Sequence, residues 1–228
     1  MVTALEMRLY PVRELYAGAL FFPIQRAAEV LHAWRGWTGT VPDEVTSLGR
    51  ILRWPPLPQV PEQLRGRSFA LVEAACLSDA AAGAALIGPL RRLGPELDTF
   101  AMIPAPVLQR LHMDPRQPVP GQGDGTFLAG FPAAAIDALI AVAGPDADTA
   151  LASIEVRHLG GALARPAPGG GAQATIDASY AMFAGGFTPT PQLAAAVRGH
   201  ARAAKDALAA WHASYDYYNF AETPANIA

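Results

Sequence analysis

The chain has 228 residues, 51% of them apolar, and a formal net charge of -3. That is enough apolar material for one large domain or two small ones, and it excludes wholesale disorder. Lys205 is the only lysine against sixteen arginines. The basic residues are scattered, which excludes a nucleic-acid stripe and a polybasic membrane patch.

Thr3, Leu5, Met7 and Leu9 alternate with Ala4, Glu6, Arg8 and Tyr10, which predicts a strand that Pro11 ends. A second strand is predicted over 14–22. Pro23 then suits the first turn of a helix, and Ile24, Ala27, Ala28, Leu31 and Trp34 recur at helical spacing through about Thr38. A strand over 45–53 leads into a proline-rich arm beginning Trp54-Pro55-Pro56. Proline fixes φ and offers no ladder donor, so this is a rigid surface connection. The next strand, 67–77, contains Cys76. A lone cysteine excludes an intrachain disulfide, and its apolar neighbours mark it as a small buried hydrophobe.

Ser78 or Asp79 caps a predicted helix to about Leu93, and 97–103 is a further strand. Residues 14–103 thus read β-α-β-β-α-β, the ferredoxin-like split unit. A short helix over 104–111 leads into a loop, 112–125. It holds His112, Asp114 and several glycines, but no EF-hand or zinc spacing, so it reads as a mobile surface loop without a metal, with a lid over a substrate entrance as the alternative. The order then repeats: strand 126–130, helix 132–142, strands 150–158 and 178–187, helix 190–211 and a last short strand 216–220.

The fold class expected is therefore α+β. Two ferredoxin-like units, about 14–103 and 126–220, form one wide, mostly antiparallel sheet with helices on one face. The other face is bare unless a ligand, a docked domain or a partner covers it. No run reaches the roughly 18–20 apolar residues that span a bilayer, and no signal sequence opens the chain. A soluble, cytoplasmic protein is expected.

Three segments carry possible chemistry. Tyr217-Tyr218-Asn219-Phe220 supplies phenols, an amide and an aromatic ring within four residues. Read without context, it is an edge strand packed for area. Arg157-His158 precedes Gly160-Gly161, glycines that permit positive φ or close approach to a ligand. Gly169-Gly170-Gly171 is not followed by Lys-Ser/Thr and is no phosphate loop.

Taken with the opening 2–12, Gly160-Gly161 and the Tyr-x-Asn-Phe tail, the chain resembles the C-terminal part of a berberine-bridge-enzyme-like, FAD-linked oxidoreductase. The resemblance implies that 1–13 ends a missing FAD-binding domain and that 14–228 is a substrate-binding domain. It implies FAD as cofactor, held mainly by the missing domain, and a small-molecule substrate such as an alcohol, sugar or amine. By position it makes Tyr217 catalytic and Asn219 a flavin contact. Arg157, His158, Tyr180 and Tyr218 become substrate-binding candidates, and the isolated chain is expected to be inactive. The pattern departs from the family after Gly161: 172–176 lacks the Phe-Pro-His-Arg-like segment of many relatives. The strand from Tyr180 also lacks their acidic or amide side chain. The alternative reading is a stand-alone ferredoxin-like module that binds a small ligand or forms a homodimer through its bare sheet face, without redox chemistry.

Overall fold

A computed structural model describes residues 3, 4, 6, 7, 9–58, 60–115, 117–171 and 173–222. The strands are β1 (Glu14–Pro23), β2 (Val45–Arg53), β3 (Ser68–Cys76), β4 (Leu97–Asp98), β5 (Ala101–Pro104), β6 (Gly121–Leu128), β7 (Ser153–His158) and β8 (Tyr180–Phe187). They form one antiparallel sheet in the order β4-β1-β3-β2-β7-β8-β6, with β5 also pairing β1. Four helices, α1 (Ala27–Thr38), α2 (Ala80–Arg91), α3 (Ala133–Ala143) and α4 (Pro191–Ala207), pack against the sheet. The sheet is α+β, as the element order predicts.

Local chemistry starts two of these helices. The Asp79 side chain accepts a hydrogen bond from the Ala82 amide at 2.8 Å, opening α2. Thr190 does the same for the Leu193 amide, with Pro191 in the first turn of α4. The main core then forms between the helices and one face of the sheet. Trp34 sits at its centre, fully buried, with its indole N–H donating to Ser47 and its ring edge-on to Phe131 and Tyr180. Phe22, Leu20, Val72, Ile154, Val156 and Met182 complete the layer from the strands.

Several boundaries differ from the sequence pattern, each for a physical reason. The described residues among 3–10 form no strand; positions 1, 2, 5 and 8 lie outside the described set. The strand expected over 97–103 is broken at Thr99-Phe100. Thr99 pairs with Ala19 through its amide and its hydroxyl, and the Phe100 backbone lies against Gly18. A Cβ on Gly18 would stand 2.4 Å from the Phe100 Cα, so the bulge needs this glycine. In the second half, β6 begins at Gly121, not Thr126. The glycines that suggest a loop are strand positions overlaid by rings: a Cβ on Gly123 would meet Phe183 at 2.3 Å, and one on Gly125 would meet Phe220 at 3.0 Å.

The last predicted strand, 216–220, is replaced by a 3-10 turn, Tyr218–Phe220. Asp216 accepts from the Thr126 hydroxyl at 2.8 Å and lies 3.5 Å from the Lys205 ammonium. That anchor turns the next residues onto the second sheet face, and β6 gains no strand neighbour there among the described residues. Among the described residues the second half therefore runs β-α-β-β-α.

The second face is not bare. At one end, Trp54 and Leu64 of the proline-rich arm and Met113 pack on Phe21, Leu52, Phe69 and Leu71. At the other, Tyr215, Tyr217, Ala213 and Ile176 pack on Phe127 and Ala181. The chain thus covers both flanks of this face with its own loops and leaves the middle to charged residues.

Candidate functional site

Strand parity sends Arg50 of β2, Glu73 of β3, and Glu155 and Arg157 of β7 to this second face. Their registers bring them together: Arg50 stands opposite Glu155 in one ladder and beside Leu71 in the other. Glu73 and Glu155 are only 3% and 2% exposed, so their charges require partners. His112 supplies one to both. Its Nδ1 lies 3.0 Å from Glu73 Oε2, and its Nε2 lies 2.8 Å from Glu155 Oε2.

The remaining carboxylate oxygens are also satisfied. Arg50 Nη1 donates to Glu73 Oε1 at 3.2 Å, and Arg157 donates from Nε and Nη2 to Glu155 Oε1 at 2.6 Å. Arg50 further donates to the Ser153 hydroxyl at 2.7 Å and to the His112 carbonyl at 2.8 Å. Since both imidazole nitrogens face carboxylates, the ring holds two protons. Burial is the largest single influence and pushes its pKa down. The hydrogen bonds to Glu155 and Glu73 together outweigh it and raise the value to about 9. For Glu155, burial likewise pushes upward, but His112, Arg157 and Arg50 hold the carboxyl below its ordinary range. Two guanidinium groups and one imidazolium against two carboxylates leave the cluster with one positive charge in excess.

A cavity of about 790 Å³ opens beside this cluster. Small side chains of the strands, Thr46, Ala75 and Ala181, make its floor. Leu108, Leu111 and His112 form one wall, and Tyr217 forms the opposite one. Gly160 (φ 103°) and Gly161 (φ 53°) turn the chain past its end in conformations that favour glycine. Its exposed mouth carries Asp43, Glu44 and Asp114, and Asp43 is paired with Arg165.

The sequence-predicted residues divide clearly. Tyr217 and Arg157 both line the cavity. The Tyr217 ring stacks on Phe127 with centroids 4.9 Å apart and lies 4.4 Å from Phe220. Its hydroxyl has no hydrogen-bond partner among the described residues. Arg157 also lies over the Phe220 ring at 4.9 Å. His158 reaches the cavity's margin, but it shares the parity of Ile154 and Val156, and its ring tilts against Tyr180 at 5.6 Å. Burial lowers its pKa.

Three candidates stand outside the cavity. Tyr180 belongs to the helix-side core, where its hydroxyl pairs with that of Thr38 at 2.8 Å. Tyr218 is 70% exposed, and Asn219 is also exposed on the 3-10 turn. Sequence reasoning missed His112, Glu73, Glu155 and Arg50. Two buried-parity glutamates within apolar strands were the available signal, since a carboxylate among residues such as Leu71, Val72 and Ala74 must find a cation. The expectation of a mobile loop at His112 is therefore corrected: its imidazole is fixed in the sheet face by two ion pairs.

No family model and no curated protein matches this chain. Solved structures do. A BBE-like protein of Physcomitrella patens, BBE-like 1, aligns over 91% of this chain and 46% of its own, with a TM-score of 0.67 and 11% identity. The fold is that of one part of the berberine-bridge-enzyme-like (BBE-like) proteins. BBE-like #28 of Arabidopsis thaliana aligns over 92% and 46%, with a TM-score of 0.66 and 13% identity. Phl p 4, described as a grass pollen allergen with glucose dehydrogenase activity, aligns over 91% and 43%, with a TM-score of 0.66 and 12% identity. The chain spans less than half the length of these structures, and identities this low establish a shared fold only.

Proposed function

We propose that this chain is the substrate-side portion of a flavin-dependent oxidoreductase that oxidises an alcohol, sugar or amine. The observation that carries the reading is the cavity on the second face of a sheet with the BBE-like fold, walled by Tyr217 and bordered by a cationic cluster. A flavin fits part of this site. Tyr217 would offer a bound flavin an aromatic wall, and Arg157 would offer a cation to a reduced, anionic ring. The described residues do not fit its pyrophosphate, because no glycine-rich phosphate loop opens any of the four helices. A further FAD-binding domain would hold that end.

Bound flavin supplies the hydride acceptor. The chain's own residues handle the rest. Arg157 orients a substrate oxygen or nitrogen by hydrogen bonding. Tyr217 lies in the wall with no hydrogen-bond partner for its oxygen among the described residues; as the phenolate it would accept the substrate's O–H or N–H proton, becoming the phenol, as the neighbouring C–H bond breaks. The Phe127 stack holds the phenol in place, so little ordering remains for the reaction itself. The cluster's excess positive charge favours negative charge developing on the substrate. We prefer this reading to a dimer contact because the flanks of the face are already packed by the chain's own loops.

The test is to purify the protein that carries this chain from its native source, record its visible spectrum, and add candidate substrates without oxygen. An oxidised-flavin spectrum bleached by an alcohol, sugar or amine is expected. A colourless protein would remove the proposal.

A further inference from the structure

Residues 105–115 leave the sheet edge after β5 and cross the second face as a strap. The strap begins where the Ala105 amide donates to the Arg13 carbonyl and runs through the 3-10 turn Ala105–Arg110. It ends in a residue of unusual backbone, Met113, at φ 58°. A non-glycine residue in that region costs about 1 kcal/mol or more and persists only where its surroundings hold it. Those surroundings are the His112 ring on one side and the Met113 side chain on the apolar Phe21–Phe69 patch on the other. A further tie on the strap is the Arg50 hydrogen bond to the His112 carbonyl at 2.8 Å, while Leu108 and Leu111 face the cavity and Val107 and Arg110 are exposed.

We infer that this strap is a proton-operated gate on the cavity, fastened by the doubly protonated His112 between Glu73 and Glu155 and released when the ring loses one proton. The geometry gives the reason. A neutral imidazole has one N–H. It can satisfy Glu73 or Glu155, but its other nitrogen then turns a lone pair toward the second buried carboxylate. Every charged group packed around the ring bears on this balance. Glu73 on β3 and Glu155 on β7 favour the cation, and Arg50 on β2 opposes it. Arg157 is held on the far oxygen of Glu155. On the strap itself, Arg110 and Asp114 are exposed and screened by solvent.

The sign follows from the raised imidazole pKa. Fastening is complete below the ordinary value of 6.5 and is lost as pH rises through about 9. The Arg50 hydrogen bond to the His112 carbonyl does not involve the ring nitrogens, so release frees the ring and the cavity wall first and the Met113 packing afterwards.

The strap stands on its own contacts and does not require a flavin, so its test is separate from the test of function. Trypsin cleavage after Arg110 reports opening of the strap, and cleavage after Arg92, exposed at the end of α2, serves as internal reference. In the full chain the Arg110 to Arg92 ratio should rise roughly tenfold between about pH 7.5 and about pH 9.5. His112→Gln should be cut rapidly at both values. A flat ratio in the unaltered chain, or slow cutting of a folded His112→Gln at the lower pH, would overturn the gate. Should the variant not fold, the imidazole signals of the unaltered chain decide. A ring titrating at its ordinary value sinks the proposal, and one titrating with the cleavage ratio supports it.

Discussion

The two faces of the sheet are built on opposite principles. The helix-side face is a continuous apolar layer whose largest residue, Trp34, has one polar atom and one hydrogen bond to satisfy it. The second face has two small apolar flanks and a charged middle in which five side chains satisfy one another. On the proposed reading, the contrast separates stability from function. A core tolerates no cavity, because interiors pack at crystal density. The second face keeps about 790 Å³ open and surrounds it with groups that can bind and move protons.

The largest expected effect belongs to the apolar side. Trp34→Ala should cost about 3–5 kcal/mol in denaturant unfolding, since it empties the centre of the core and strands the Ser47 hydroxyl. A cost near zero would break the contrast between the faces. Next comes Glu155→Ala, which leaves Arg157 without a counter-charge and His112 with Glu73 alone. Removing one partner of a buried pair costs about 3 kcal/mol. A joint Arg50→Gln, Glu73→Gln, His112→Gln and Glu155→Gln replacement should cost less than the single alanine change, because the one charge of the cluster that remains is Arg157, which is 39% exposed and reaches water. The reverse order would show that the charges themselves stabilise the fold.

Smaller effects sharpen the picture. The melting temperature of the unaltered chain should fall as pH rises through about 9, as the His112 ion pairs are lost, and His112→Gln should lack that step. An identical pH profile in both would place the stabilising charges elsewhere. The smallest stability change is expected for Tyr217→Phe, within about 0.5 kcal/mol, because the stack on Phe127 survives and the phenol has no partner among the described residues to lose. That variant should nonetheless slow flavin reduction in the complete protein by about 100-fold or more, the usual scale for a lost proton-transfer group.

The helix-side face was legible because its signals are periodic. Ile24, Ala27, Leu31 and Trp34 recur at helical spacing, and the bounds of β1, β2 and β3 follow from alternation and proline. The second face was only partly legible. Tyr217 and Arg157 stand in short motifs, and both reach the cavity. His112 could not be found that way: its partners are 39 and 43 residues distant, and only the β3 and β7 registers join them. Glycine misled twice. Gly123 and Gly125 resemble loop residues, yet they are strand positions that make room for Phe183 and Phe220. The 216–220 segment has strand composition, but Asp216 is anchored to Thr126 and Lys205, which folds the Tyr-x-Asn-Phe tail over the face instead of along its edge.

Ala75→Trp in the native-length protein tests the central claim most directly, because it fills the cavity floor without touching the helix-side core. The quantity to measure is the rate at which substrate bleaches the flavin without oxygen. With the fold verified by its unfolding curve, the account predicts a loss of about 100-fold or more, since the substrate can no longer sit between Tyr217 and the cationic cluster. Bleaching at the unaltered rate would mean that the chemistry takes place somewhere other than on this face.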